Sequence, residues 1–233
     1  MELLSFGDRG WGDELARATA MTVAVASCAF LLGLVFGALG SFAKLSRNRL
    51  VAAIADAYTT VIRGIPELLV IYLLFFGGSG ALMFFARMFG HTGYVEINAF
   101  ATGVCAIAIV NGAYSLEVIR GAVLAVPRGQ IEAAKAFGMS PVTLFRRVLA
   151  PQVLRFALPG LGNVWQLALK ETALISVTGL VEIMRQATVG AGSTKQPFTF
   201  YAVAAILYLL LTTISGHGFA RAERWANRGV RSA

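Results

Sequence analysis

The sequence predicts an all-α polytopic membrane protein with about five transmembrane helices and a helical elbow outside the bilayer. Three observations lead there. Of the 233 residues, 57% are hydrophobic and only 14% charged, with mean hydropathy +0.71, whereas a soluble domain carries about a quarter charged residues. Uncharged runs at 18–43, 97–116 and 196–220 reach the roughly 20 residues that span a hydrocarbon core. The segment that interrupts the apolar pattern, GQIEAAKAFGMSPVTLFRRVLAP at 129–151, is itself written as helix rather than loop.

The formal charge of +8 is distributed in a way that excludes a nucleic-acid patch. Most basic residues fall in three blocks: Lys44, Arg47 and Arg49; then Arg120, Arg128, Lys135, Arg146, Arg147 and Arg155; then Arg221, Arg224, Arg228 and Arg231. Blocks separated by apolar spans can share one side of a membrane, and the positive-inside rule makes that side the cytoplasm. Ahead of the first span Glu2, Asp8, Asp13 and Glu14 outnumber Arg9 and Arg17. This stretch has no basic n-region of a signal peptide and predicts an outside N-terminus and an inside C-terminus.

The chain reads as a single permeating unit over 1–233, with spans at roughly 17–43, 50–76, 97–124, 154–181 and 197–219. In the first, Gly33, Gly37 and Gly40 put small residues on one face where another helix can approach closely. The second contains RGIPELL at 63–69. Pro66 removes a backbone donor and disfavours regular helix before it, which fits either a bent span lining a path or a junction between two helices. Residues 77–96 read as an external loop. The third span ends in polar residues, among them Glu117 and Arg120, an i, i+3 pair on one helix face. The fourth carries Lys170 and Glu171, which as neighbours must point in different directions. Residues 182–196 read as a second external loop. Cys28 and Cys105 lie in apolar spans and suggest neither disulfide nor metal site.

The interrupting segment, with its flanks at 127–151, is expected in the cytoplasm. Gln130 to Phe137 reads as a short helix whose Ile131, Ala134 and Phe137 form an apolar stripe beside Glu132 and Lys135. Ala133 and Ala134 keep that surface low. Gly138 stands where a helix ends in the left-handed conformation, and Ser140–Pro141 suits the N-cap and N1 of a second helix. Val142, Phe145, Val148 and Leu149 form its apolar face. A plain loop needs none of this order; an elbow with an apolar stripe does.

EAAKAFG at 132–138, followed nine residues later by VLAP at 148–151, resembles the EAA signature of ABC importer permeases. The matching positions are Glu132, Ala133, Ala134, Gly138, Val148 and Pro151; Ala150 stands where the pattern usually has leucine. IRGIPELL (62–69), AYSLEVIRGA (113–122) and LPGLGNVWQLALKETALIS (158–176) extend the resemblance over nearly the whole chain. Together they are similar to the polar amino-acid permeases, in particular the Q-type subunits of histidine/lysine/arginine/ornithine and opine uptake systems. The resemblance implies that the elbow is a coupling helix seated in a cytosolic ABC ATPase dimer. Glu132, Ala133, Ala134 and Gly138 carry that role, with Phe137 and Arg146 beside them. It also implies a bacterial inner-membrane location, a second permease subunit that is related but non-identical, a periplasmic solute-binding protein, and lipid around the spans.

No cofactor is expected on this chain. It lacks G-x-x-x-x-G-K-[ST], and GAGSTK at 190–195 has the wrong spacing, so ATP and magnesium belong to the partner ATPase. Opines and basic amino acids carry a carboxylate and a cation. Asn111, Tyr114, Glu117, Lys170 and Glu171 are the candidates for a path that takes them, although Glu117–Arg120 and Lys170–Glu171 also suit structural or subunit-interface pairs. An intramembrane serine protease is excluded by topology, since Ser79 and His217 fall at opposite ends of spans, about 30 Å apart across the core. His91 and His217 read as interfacial polar residues. A self-sufficient channel or secondary carrier is the other class; such carriers often show inverted repeats, none is evident, and neither needs the elbow.

Overall fold

In the computed structural model, which describes residues 2–7, 10–78, 80, 83, 88 and 98–228, every regular element among those residues is helical. Helix α1 (Gly12–Lys44) has 33 residues, about 50 Å at the α-helical rise. Helix α2 (Arg49–Gly64) starts on Asn48, whose side chain accepts from the Leu50 and Val51 amides at 3.0 and 3.4 Å. It stops at Ile65, held extended (φ −112°, ψ 150°) ahead of Pro66 as proline requires of its predecessor. Helix α3 (Glu67–Tyr72) resumes and runs into a π-helical turn over Leu73–Gly77. The α2 and α3 rods meet at 108°, so the stretch expected as one span over 50–76 is a broken pair. The expected external loop at 77–96, with Ser79 and His91, lies almost wholly outside the described residues.

Helix α4 (Ala99–Leu124) is capped by Asn98. The elbow follows as α5 (Arg128–Ala136), α6 (Pro141–Leu144) and a π-helical turn at Phe145–Leu149, which leads without a break into α7 (Ala150–Ile175). A 3-10 turn (Ser176–Thr178) precedes α8 (Ile183–Thr194), and α9 (Pro197–Ala226) ends the described fold. The fourth long helix thus stops earlier than the expected 181. The expected loop at 182–196 is largely helical instead. Ile183, Ala187 and Ala191, four residues apart, bury one face of α8 against Phe200 and Ala204 of α9, and Trp11 closes the cluster edge-on to Phe200 at 5.6 Å.

Helices α1, α4 and α9 are long and apolar enough to cross a bilayer, and α2–α3 is a fourth candidate if the bend lies within one span. Helix α7 has 26 residues, but Gln152, Arg155, Asn163, Gln166, Lys170 and Glu171 make it more polar than those.

Contacts fix the helix directions. Gly33 faces Ala108 and Asn111, and Gly37 faces Ser115, so α1 and α4 run parallel. A methyl built on Gly37 would stand 2.5 Å from Ser115 Cβ; only a residue without Cβ permits this approach. Gly160 against Val118 and Gly103 against Ile175 make α7 antiparallel to α4, while Gly162 against Phe219 and Thr172 against Tyr208 make α9 antiparallel to α7. The described residues of the three basic blocks consequently gather at one end of the bundle, together with the elbow. The central core joins α1, α3, α4 and α7 through Val25, Ala29, Ile71, Val104, Ile107 and Ile175.

Candidate functional site

The elbow is built as its residues direct. Gly138 has φ +73°. Its amide donates to Lys135 O at 2.9 Å and the Met139 amide to Ala134 O at 3.1 Å, the paired bonds that close a Schellman end. Ser140 then caps α6, accepting from the Thr143 amide at 3.3 Å with Pro141 in the first turn. Gln130 and Gln152 join across 2.5 Å, tying α5 to the start of α7.

The expected stripe divides. Ala134 is buried beneath the elbow, Ile131 is half-buried, and Phe137 is 85% exposed at the apex. Val142 and Phe145 are also exposed, while Val148 and Leu149 are half-buried. Glu132, Ala133, Gly138 and Arg146 all face water. An aromatic ring and a valine thus stand open among charges at the basic end.

The other candidates fall into three places. Asn111 and Glu171 meet inside the bundle: Asn111 Nδ2 donates to Glu171 Oε2 at 2.7 Å, and both residues are buried. Asn111 Oδ1, Glu171 Oε1 and the nearby Ser115 hydroxyl have no hydrogen-bond partner among the described residues. A carboxylate so far from water is costly unless a partner arrives. Tyr114 stands one turn along α4, under the Arg63 guanidinium at 5.3 Å and within electrostatic reach of Glu67 and Glu171. The Pro66 break therefore delivers Arg63 and Glu67 to this column.

Glu117 sits further along, in an ion-pair network. Lys44 Nζ is 2.6 Å from both Glu117 Oε1 and Asp56 Oδ1, and Arg120 holds Glu117 Oε2 at 2.9 Å. The i, i+3 pair forms as expected, but Lys44 from α1 and Asp56 from α2 complete it. Lys170 is placed apart: it is exposed and lines a mostly apolar cavity with Met184, Tyr201 and Tyr208, while Glu171 turns inward. His217 is satisfied by its own helix, Nδ1 lying 2.8 Å from Thr213 O.

One polar centre escaped the sequence reading. Glu182 is fully buried; it accepts from the Met184 and Arg185 amides at 2.9 and 2.7 Å and from the Tyr208 hydroxyl at 2.8 Å. The Ile183 amide donates to Thr22 Oγ1 at 3.2 Å, and Thr172 Oγ1 lies 3.3 Å from the Tyr208 oxygen. The hub thus links α1, α7, α8 and α9. An acidic residue in the otherwise apolar SVTGLVEIM was the only signal for it.

The family described as binding-protein-dependent transport system inner membrane component matches residues 29–222. The chain is 60% identical over 233 residues to the nopaline transport system permease protein of Agrobacterium fabrum, covering 100% of this chain and 99% of that protein. It is 57% identical to the octopine transport system permease protein of Rhizobium meliloti, covering 99% and 98%. Against the histidine/lysine/arginine/ornithine transport system permease protein of Escherichia coli the identity is 38%, covering 96% and 98%. Among solved structures, an amino acid ABC transporter crystallised with histidines aligns with TM-score 0.78 and 32% identity, over 92% of this chain and 94% of that one. An inward-facing MetNI methionine ABC transporter shares the fold at TM-score 0.69 and 18% identity, over 94% and 98%.

Proposed function

Because the chain belongs to the family of inner-membrane components of binding-protein-dependent transport systems, we propose that it is one permease subunit of an ATP-driven importer for opines and basic amino acids. The chain crosses the membrane five times, with α7 as the fourth span, its N-terminus outside and its basic end in the cytoplasm. A second homologous permease subunit completes the path, a periplasmic solute-binding protein delivers the substrate, and a separate ABC ATPase dimer supplies the driving force with its own ATP and magnesium.

The observation that carries this reading is the exposed apex of the elbow. Phe137 at 85% and Val142 at 66% exposure stand among charged residues at the basic end, where lipid tails do not cover them. A groove on the ATPase would cover both side chains, with Glu132, Ala133, Gly138 and Arg146 around them and Ala134 packed beneath. Closure of the ATPase then pushes on α5, which follows α4 after a short turn, and on α6, which runs through the π-helical turn into α7. Those two helices carry Asn111 and Glu171, so the docking surface and the interior polar pair move as one body.

Glu171, with Glu67 nearby, suits the cationic group of an opine or basic amino acid, and Arg63 suits a carboxylate. Asn111, Tyr114 and Glu117 line the same side of α4, and Lys170 serves the face toward α8 and α9. Uptake of labelled arginine by cells carrying the complete system tests the proposal. Competition by histidine, octopine or nopaline and loss of uptake on deleting the ATPase are expected. Uptake that persists without the ATPase would make the protein a secondary carrier or channel.

A further inference from the structure

We propose that the cavity among α1, α2 and α4 at the basic end is a release subsite for the cationic group of the transported molecule, occupied between transport events by the Lys44 ammonium. The inference rests on the importer reading above and extends it to residues outside the interior polar pair. The cavity measures about 340 Å³ and is lined by Lys44, Asp56, Thr59, Arg63, Gly64 and Glu117, a volume within the roughly 300–1,000 Å³ of small-molecule sites.

Its walls form a complete ammonium receptor. Lys44 Nζ donates to Glu117 Oε1 at 2.6 Å and to Thr59 Oγ1 at 3.1 Å, and lies 2.6 Å from Asp56 Oδ1. An ammonium has three donors, and all three are taken. Arg63 lines the same cavity and makes no salt bridge among the described residues, its guanidinium lying over Tyr114. A zwitterion with a basic side chain therefore finds two carboxylates for its cation and a guanidinium for its carboxylate.

Accessibility decides how the exchange runs. The Asp56 side chain is 65% exposed, whereas those of Lys44 and Glu117 are 16% and 20% exposed. Water at the open Asp56 carboxylate screens Lys44–Asp56 more than Lys44–Glu117, so it yields first. Position supports the same order. Glu117 lies six residues beyond Asn111 on α4, about 9 Å along the axis, with Tyr114 and Arg63 between them. A cation leaving Glu171 next meets Glu117 and Asp56. Asp56 and Glu117 face Arg120 and one further cation before and after the exchange, while the displaced Lys44 ammonium swings out to water at the basic end.

The test is equilibrium binding of labelled arginine to the assembled importer without ATP, with citrulline as the neutral ligand of the same shape. Lys44→Met frees two carboxylates and is expected to tighten arginine binding about tenfold, as one charge-assisted hydrogen bond does, with no change for citrulline. Asp56→Asn added to Lys44→Met removes the gain. Lys44→Arg keeps the charge and the helix contacts but grips both carboxylates more firmly, and lowers arginine affinity below that of the unmodified protein. An unchanged arginine affinity in Lys44→Met or in Lys44→Arg, or an equal gain for citrulline, overturns the subsite. Wild-type arginine uptake, measured alongside, separates the two levels. Uptake with no gain in Lys44→Met defeats the subsite alone; a gain in Lys44→Met without wild-type uptake leaves a cation site but defeats the importer reading for arginine and, with it, the release role.

Discussion

Adding one methyl group to Gly37 is expected to force α1 away from α4. The new Cβ would lie 2.5 Å from Ser115 Cβ and 3.0 Å from both Leu116 N and Ser115 C. Carbon atoms prefer about 3.5–4.0 Å, so the helices must part by roughly 1 Å, and two of the three neighbours are backbone atoms that cannot rotate away. Overpacking of this kind costs about 1–3 kcal/mol, while alanine returns up to about 1 kcal/mol over glycine in helix propensity. A contact as close as 2.5 Å puts the cost at the upper end of that range, so the net loss is about 2 kcal/mol, a fall of roughly 4–8 °C in Tm for a chain of this size. Two controls lie on the same pair of helices. A Cβ at Gly33 meets Asn111 Cβ at 3.2 Å, and one at Gly121 meets nothing within 4 Å. Thermal unfolding of the purified protein in detergent, followed by tryptophan fluorescence, is expected to rank Gly37→Ala below Gly33→Ala and Gly33→Ala below Gly121→Ala. Equal midpoints for Gly37→Ala and Gly121→Ala would refute the close parallel packing.

Three further outcomes follow from the geometry. Gly138→Ala places a side chain at φ +73°, a strain of about 1–2 kcal/mol confined to the elbow; co-purification of the ATPase weakens while the bundle's Tm holds, and Gly138→Asn restores most of it. Tyr208→Phe takes one donor from buried Glu182, a loss of about 1–3 kcal/mol; a Tm equal to wild type would show that the hub does not bear load. Asn111→Ala removes the only described hydrogen bond of Glu171 and is expected to lower uptake at normal expression, as is Glu171→Gln; full uptake by both would remove the pair from the path.

What could be read from the sequence was local. Gly138, Ser140 and Pro141 announce the elbow because each acts on its own backbone within a few residues. Gly33 and Gly37 announce a close helix contact because their spacing matches the helix period, and Glu117–Arg120 forms because i, i+3 residues share a face. What stayed hidden depends on distance along the chain. Lys44 reaches Glu117 across 73 positions and Asn111 reaches Glu171 across 60, and no periodicity encodes either. The α8 helix was missed because most of its buried face beyond Ile183 is small, Ala187, Gly190 and Ala191, and becomes a signal only once Phe200 lies against it. Pro66 showed that the chain breaks, but not the 108° angle at which α3 buries Val70 and Ile71.

The most direct test of the central claim is made on the elbow. Glu132 is exposed on α5, the helix that leads to Phe137 at the apex, so Glu132→Lys reverses a charge without disturbing the core, and the subunit is expected to fold and reach the membrane normally. Purified with its partner subunits, the Glu132→Lys protein should lose the ATPase on size exclusion or retain it without substrate-stimulated ATP hydrolysis. Normal assembly together with full substrate-stimulated hydrolysis would contradict the account of the elbow as the place where this chain receives its driving force.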